Sequence, residues 1–190
     1  MNNLERIGAS FRDPSGFLFK RNGVLYRQVN TSYRKAYDHL ISSGLYDVLT
    51  ASHKIVAHTE TNDPPAEPDR AYKVIQPELI PMISYPYEWS FSEIKDAALL
   101  TLEVGRMALQ KNMILKDASA YNIQFLDGKP ILIDTLSFDI YHEGQLWDGY
   151  RQFCQHFLAP LALASLVDIR LMQLMRVYID GIPLDLASEL

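Results

Sequence analysis

The chain has 190 residues, of which 48% are apolar and 22% charged, and its formal net charge at pH 7 is −5. This composition is that of a soluble globular protein long enough to bury a core. The acidic balance argues against nucleic acid or an anionic membrane as the main partner. No run of about eighteen uncharged apolar residues predicts a membrane span.

The single cysteine, Cys154, excludes an internal disulfide and fits a reducing cytoplasm. The N-terminal residues lack the basic-then-apolar order of a secretory signal, so the sequence predicts a cytoplasmic protein. The C-terminal residues IPLDLASEL are typical of an apolar segment that has been cut short. This pattern favours a fragment of a longer protein.

The first predicted elements are two strands and a helix. The runs Gly16–Lys20 and Val24–Val29 flank Asn22-Gly23, a pair that favours the positive φ angles of a type I′ turn, so a hairpin is predicted here. Apolar residues then recur at helical spacing over Ser32–His53, where Gly44 is able to split the helix.

A loop and two further strands are predicted next. Residues 61–71 are rich in proline and acidic side chains, which predicts an exposed loop. Strand-like runs follow at Ala71–Ile75 and Leu79–Tyr85. The first half of the chain is therefore predicted to consist of strands with one helix.

The second half is predicted to be mainly helical. Ser90 and Glu93 have the spacing of a capping box, and the helix that they open should run to about Lys111. A long helical region is expected over Trp147–Tyr178, with a break or kink at Pro160. The order of elements predicts an α+β fold with two lobes, a β-rich one over residues 1–85 and a mainly helical one over residues 86–190.

A second hairpin, between these helices, concentrates polar side chains. Asp-Gly at 127–128 is a strong turn signal between two alternating apolar runs. Folding the strands about that turn sets Asn122 opposite Ile133, so Asn122 and Asp134 should lie side by side at the open end of the hairpin. Asp117 precedes the first strand and should lie close to the same point.

Three oxygen-bearing side chains at one point suit Mg²⁺, which takes oxygen ligands and shares its remaining positions with phosphate and water. A carboxylate and an amide can hold the metal while a second carboxylate orients an attacking hydroxyl. The alternative is purely structural, because Asp and Asn are common turn formers.

The spacing of these residues resembles a known active site. Asp117 and Asn122 stand five apart, as in H-R-D-x-x-x-x-N, and Asp134 follows a short hairpin as the Asp of D-F-G does. The segment is similar to the active-site region of the protein-kinase and aminoglycoside-phosphotransferase-like superfamily. The resemblance implies that Asp117 is the catalytic base and that Asn122 and Asp134 bind Mg²⁺ together with ATP.

Other residues match that superfamily by their order along the chain. The resemblance implies a phosphate-covering loop within Ile7–Phe19, and it puts Arg27 near the place of the lysine that grips the phosphates. Lys116 would also bind the cofactor, and Asp38 would be the acidic partner of Arg27. Residues 84–89 would form the hinge.

Tyr85 and Tyr87, within that predicted hinge, can line a pocket for a base or a sugar ring. A purely structural role for these two rings is the alternative. Cys154 and His156, in the later apolar helix, are expected to be a buried small side chain and a core histidine with its hydrogen bonds satisfied.

Four departures from the kinase pattern are visible in the sequence. Leu115 stands where the motif has His, Asp134-Thr-Leu lacks the final glycine of D-F-G, and no G-x-G-x-x-G is present. Arg27 is bulkier than lysine and holds its charge in a rigid fork. Each departure is tolerated in distant relatives, and together they leave open a degenerate kinase that binds nucleotide poorly or not at all.

Four blocks of the sequence resemble the N-terminal part of a bacterial family of nodulation-protein-like, S-adenosylmethionine-dependent methyltransferases. The blocks are Tyr26–Val29, Ile83–Trp89, Leu115–Asn122 and Tyr150–Cys154. This resemblance implies that a methyltransferase domain lies beyond the end of the chain. The nine glycines include no G-x-G, so no Rossmann-type cofactor turn is expected within it.

Three functions remain open from the sequence. The first is Mg²⁺- and ATP-dependent phosphoryl transfer to a small-molecule or sugar hydroxyl. The second is a non-catalytic kinase-like domain that recognises a substrate or partner for an attached methyltransferase. The third is a globular scaffold without a pocket.

Overall fold

The computed structural model describes residues 4–7 and 13–190, and it is of the α+β class that the sequence predicts. Its main sheet is antiparallel, with the strand order β1-β2-β3-β5-β4. The strands are β1 (Leu4–Arg6), β2 (Gly16–Arg21), β3 (Val24–Asn30), β4 (His58–Thr61), β5 (Ala71–Pro77), β6 (Met113–Leu115), β7 (Ile123–Leu126), β8 (Lys129–Leu132) and β9 (Phe138–Ile140). The α-helices are α1 (Arg34–Ser42), α2 (Leu45–Ala51), α3 (Phe91–Leu109), α4 (Tyr150–Phe153), α5 (Ala159–Leu166) and α6 (Leu184–Glu189).

The hairpin of β2 and β3 confirms the sequence prediction. Asn22 and Gly23 have φ angles of 50° and 83°, as a type I′ turn requires. Gly16, the first residue of β2, pairs with Val29, and a Cβ atom at Gly16 would lie 2.1 Å from the backbone oxygen of Gln28. The close approach of two backbones therefore requires glycine at this position. The predicted covering loop lies largely in residues 8–12, outside the described residues.

The helix predicted over Ser32–His53 is divided as expected at Gly44. That glycine has a φ angle of 74° and separates α1 from α2. Tyr37 and Leu40 of α1 are almost fully buried, as are Leu45 and Leu49 of α2. These side chains fix both helices against the core.

The strand predicted over Leu79–Tyr85 is wrong. Residues 78–85 contain no regular element, and Leu79, Met82 and Ile83 are 68%, 76% and 54% exposed. Pro81 has no N–H to give to a strand ladder. The alternation of apolar side chains in this segment therefore does not mark a buried sheet face.

Helix α3 begins as the capping box predicts. Ser90 Oγ accepts a hydrogen bond from Glu93 N at 3.3 Å, and Glu93 Oε2 accepts one from Ser90 N at 2.7 Å. Ile94, Ala97 and Val104 of this helix are buried in the largest core cluster. Helix α3 therefore packs against the hairpin of β7 and β8 through this shared core.

The register of the hairpin β7–β8 is the predicted one. Phe125 pairs with Pro130, and Ile133 N donates to Asn122 O at 2.8 Å. Asp127 and Gly128 both have positive φ, 51° and 74°. The hairpin is joined to the first half of the chain by a parallel bridge between Ile55 and Leu132.

The late helical region is more broken than predicted. Helix α4 continues into a π-helical turn at Cys154–Leu158, then α5, and then a 3₁₀ segment at Ile169–Arg176. Pro160 is the second residue of α5 and directly follows the π turn, so the helical bond that its missing N–H cannot make falls on that irregular segment. The irregularity lies just before it, in the wide π turn.

Among the residues that the structure describes, none of the helices has the length and apolar character needed to span a bilayer.

Candidate functional site

The turn Asp134–Ser137, between β8 and β9, is the point at which the predicted polar residues meet. Asp134 Oδ1 accepts a hydrogen bond from Leu136 N at 2.8 Å, and Asp134 O accepts one from Ser137 N at 3.3 Å. Ser137 O in turn accepts from Asp117 N at 3.4 Å, and Ser137 Oγ accepts from Asn122 Nδ2 at 3.3 Å. The turn thus holds Asp117, Asn122 and Asp134 around Ser137.

Ser137 is a residue of the site that the sequence does not reveal; it is only 1% exposed and hydrogen-bonded to two of the predicted residues. Its role depends on β9 pairing with β6, with Leu115 opposite Phe138. Sequence spacing alone gives no signal for that pairing, because the two strands are short and far apart in the chain.

Arg27 reaches the same turn from the main sheet. It lies in β3, its side chain is 8% exposed, and its Nη1 atom is 2.6 Å from Asp134 Oδ1. The other end of its guanidinium lies 3.6 Å from Asp13 Oδ2. Arg27 therefore meets Asp134 as the partner of a buried ion pair, a contact that the sequence does not predict.

Asp38, the predicted acidic partner of Arg27, is elsewhere. Its carboxylate accepts a hydrogen bond from the Tyr72 hydroxyl at 2.5 Å and lies 3.5 Å from Arg34 Nε. Asp38 projects from the exposed face of α1, whereas Arg27 is buried in the sheet. The sequence assignment of this pair is wrong for that reason.

The donor atoms for a magnesium ion fit only in part. Asn122 Oδ1 and Asp134 Oδ2 accept no hydrogen bond from the described residues, so both are chemically suited to a hard cation. The carboxylate of Asp134, however, already faces the Arg27 cation. Among the described residues, no group of three or more His, Cys, Asp or Glu side chains is placed to hold a metal.

Asp117, the candidate base, is held by local backbone. Its Oδ1 atom accepts a hydrogen bond from Ser119 N at 3.0 Å, and the next amide, Ala118 N, donates to Gln152 Oε1 at 2.7 Å. The second oxygen of Asp117 accepts no hydrogen bond from the described residues. One oxygen is therefore left to meet a hydroxyl.

The amino group of Lys116 contacts Ser15 and Tyr33. Its Nζ atom donates to Ser15 Oγ at 2.8 Å and lies 4.7 Å from the centre of the Tyr33 ring. The Tyr33 hydroxyl donates to Phe138 O at 2.6 Å, and burial together with the charge of Asp134 raises the pKa of that hydroxyl well above its usual value. Lys116 thus ties the residue before β2 to the segment before Asp117.

Tyr85 and Tyr87 stack on one another, with ring centres 5.4 Å apart and planes 6° from parallel. No described contact joins either ring to Arg27 or Asp134. Burial, with smaller contributions from Tyr87, Asp180 and Tyr85, raises the pKa of Tyr121. Beside them, the buried amide of Gln124 bonds both backbone groups of Ser84 at 2.9 Å. The segment predicted to be a hinge is therefore fastened to β7.

The structure thus defines a mixed α+β chain in which a buried arginine and three polar loop residues meet at one turn. No protein-family model matches the sequence. Over 185 residues, or 94% of the chain, the sequence is 36% identical to the nodulation protein NoeA of Rhizobium meliloti (strain 1021). This similarity supports the expected relationship to nodulation proteins. The chain spans 37% of the length of that curated relative.

Proposed function

We propose that the chain is a kinase-like recognition domain of a longer protein, with residues 1–85 as its small lobe and residues 86–190 as its helical lobe. The observation that carries the proposal is the ion pair of Arg27 and Asp134, 2.6 Å between Nη1 and Oδ1. The pair joins the two residues that the kinase resemblance assigns to phosphate and metal, and each neutralises the other.

The arrangement of elements supports a kinase-like layout. An antiparallel five-stranded sheet with helices inserted between β3 and β4 comes first, and a mainly helical half with the polar hairpin follows. The segment at Ser84, fastened to Gln124, connects them. These features are in the order that the sequence resemblance implies.

The charge balance at Asp134 favours binding without catalysis. A kinase metal site works because a dication neutralises the phosphates and the metal-binding carboxylate together. Here the guanidinium already supplies a positive charge to that carboxylate from a buried position, and a metal ion would have to displace it or bind beside it. Arg27 therefore stabilises the turn in the way a metal would, with no ion required.

The role proposed for the recognition domain depends on the longer protein of which it would be a part. The relative NoeA is much longer than this chain, and the sequence blocks resemble nodulation-protein-like methyltransferases. With no G-x-G in this chain, methyl transfer would be carried out by another domain. The recognition domain would hold the small-molecule or sugar substrate for it.

A second candidate, Mg²⁺-dependent binding of ATP with phosphoryl transfer, is favoured by one observation. One oxygen on each of Asp117, Asn122 and Asp134 accepts no hydrogen bond from the described residues. In that function Asn122 and Asp134 would hold the metal, which would neutralise the phosphates, and Asp117 would accept the proton of the attacking hydroxyl.

Calorimetric titration with ATP, with and without Mg²⁺, separates the two functions. The variants are Asp134→Asn, which keeps the shape and removes the charge, Asp134→Ala, and Asp139→Asn as a control on a nearby exposed carboxylate. The recognition domain should bind no ATP at millimolar concentration in any form. Mg²⁺-dependent binding that is lost in both Asp134 variants and kept in Asp139→Asn would establish the second function instead. Asp117→Ala would then abolish turnover and leave nucleotide binding largely intact.

A further inference from the structure

A small cavity lies behind the candidate catalytic loop, outside the Arg27–Asp134 pair. It has a volume of about 200 Å³. Its walls come from the loop after β6, helix α4, the π-helical turn Cys154–Leu158 and the segment before α6. The residues that line it are Ser119, Tyr121, Gln152, His156, Ile179 and Asp180.

His156 is the central group of this cavity. It is only 4% exposed, yet neither ring nitrogen makes a hydrogen bond with the described residues, and its ring meets Tyr121 edge-on with centres 6.0 Å apart. His156 is thus the core residue that the sequence predicts, but the partners of its ring nitrogens do not come from the described residues. Arg27 Nε and His58 Nδ1 are the fully buried unpartnered side-chain atoms of the described residues, so the ring nitrogens of His156 keep contact with solvent, which a ligand in the cavity would replace.

The π turn that carries His156 packs closely against the segment before α6. The backbone of Gly181, with a φ angle of 96°, lies so close that a Cβ atom there would be 2.6 Å from Gln155 Cβ. Ile182 N donates to Gln155 O at 3.0 Å, across the π turn. These contacts place Asp180 at the mouth of the cavity beside His156.

Other polar atoms around His156 are also unused. The hydroxyl of Tyr121, Nε2 of Gln152 and the carboxylate of Asp180 make no hydrogen bond with the described residues, whereas Oε1 of Gln152 holds Ala118 N at 2.7 Å. The cavity therefore presents an imidazole, a carboxylate, an amide and a phenol to one small volume.

The charge of the cavity selects the kind of ligand. Asp180 is the only lining residue with a full charge at neutral pH, and Asp117 and Asp180 both act electrostatically on His156. The net negative field disfavours phosphate and carboxylate groups and favours groups that donate hydrogen bonds. The Tyr121 ring and Ile179 add an apolar wall on which the face of a ring can rest.

We propose that this cavity binds one uncharged polyhydroxylated ring, of the size of a monosaccharide, through His156, Asp180, Tyr121 and Gln152. The volume is below that of sites for drug-sized ligands, which is roughly 300–1,000 Å³, and suits a single six-membered ring. The inference rests on the proposed recognition function for its purpose, since it supplies the class of the recognised substrate. It does not depend on the chemistry at Asp134.

The test follows the histidine ring signals by NMR while D-glucose or myo-inositol is added. Glucose 6-phosphate, titrated in the same way, is the anionic control. Saturable shifts of the His156 signals by a neutral ring, with at least tenfold weaker binding of the phosphate, support the proposal. No saturable shift up to about 100 mM, or tighter binding of the anion, overturns it.

Variants link the binding to these side chains. His156→Phe keeps a ring of similar shape and should weaken binding at least tenfold, measured by calorimetry. His142→Asn, at an exposed histidine outside this cavity, is the matched control and should bind as the parent does. If His156→Phe does not fold, Asp180→Asn and Tyr121→Phe replace it, and unchanged affinity in both contradicts the proposal. Asp134→Asn should still bind the sugar ring. A failure of the proposal about nucleotide binding can therefore be told apart from a failure of the proposal about this cavity.

Discussion

Replacing Arg27 by methionine tests whether the buried ion pair organises the site. The substitution keeps a long side chain but leaves Asp134, whose side chain is 17% exposed, without its cation. Breaking a buried pair by removing one partner costs about 3–5 kcal/mol. Because Asp134 keeps some solvent contact and the Leu136 N–H bond at 2.8 Å, we expect the lower end, about 3 kcal/mol of the free energy of unfolding.

Urea denaturation followed by circular dichroism measures that change, and a thermal scan should show a fall of roughly 6–12 °C in the melting temperature. The double variant Arg27→Met with Asp134→Leu removes both charges and should be more stable than Arg27→Met alone. Arg170→Met is the control, since its partner Asp168 lies with it on the surface at 85% and 33% exposure, and no measurable loss is expected there.

Two results would refute the reasoning. One is an Arg27→Met variant within about 0.5 kcal/mol of the parent, which would mean that solvent replaces the guanidinium without cost. The other is a double variant whose loss equals the sum of the two single losses, since independent sites add and coupled ones do not.

Three further predictions concern single positions. Gly16→Ala should lower the free energy of unfolding by more than about 2 kcal/mol, because the new Cβ would lie 2.1 Å from Gln28 O. Gly105→Ala, in α3 with open space around it, should raise that free energy by about 0.5–1 kcal/mol. Denaturant titration of both variants checks this. Ser90→Ala should cost about 1 kcal/mol through the lost helix cap, measured in the same way, and an unchanged midpoint would contradict it. Burial lowers the pKa of His58 from 6.5 to about 4, so the unfolded chain takes up its proton first. The contribution of neutral His58 to the free energy of unfolding is therefore fully present above pH 6.5. It should fall by on the order of 2–3 kcal/mol as the pH drops to about 4, measured by urea denaturation at several pH values. His58→Gln should reduce this dependence on pH.

The features that could be predicted from the sequence are those fixed by neighbours along the chain. The Asp127-Gly128 turn determines the register of its hairpin, and that register alone brings Asn122 beside Ile133. The cap at Ser90 follows in the same way from Glu93 three residues later. Turns and caps need only local bonds, so short patterns suffice to find them.

The contacts that complete the site depend on tertiary packing instead. Arg27 reaches Asp134 only because β3 is central in its sheet, and nothing in the spacing of Asp38 shows that it faces solvent. The sequence predicts that His156 lies in an apolar helix, whereas the structure places it in a π turn against which Gly181 packs closely. Gly181, which stands shortly before an apolar segment, is the sequence signal for this packing. Its partner, Gln155, lies on another element, so the sequence alone does not show the contact.

The parallel bridge of Ile55 and Leu132 has a consequence for the order in which the protein is made. Val56 N donates to Leu132 O at 2.8 Å and Leu132 N to Lys54 O at 2.9 Å, so β8 completes the backbone bonding of the segment after α2. During synthesis at about 5–20 residues per second, β8 emerges several seconds after that segment. The first half of the chain must therefore leave the ribosome with this edge unpaired, and the hairpin that carries the site also closes the fold.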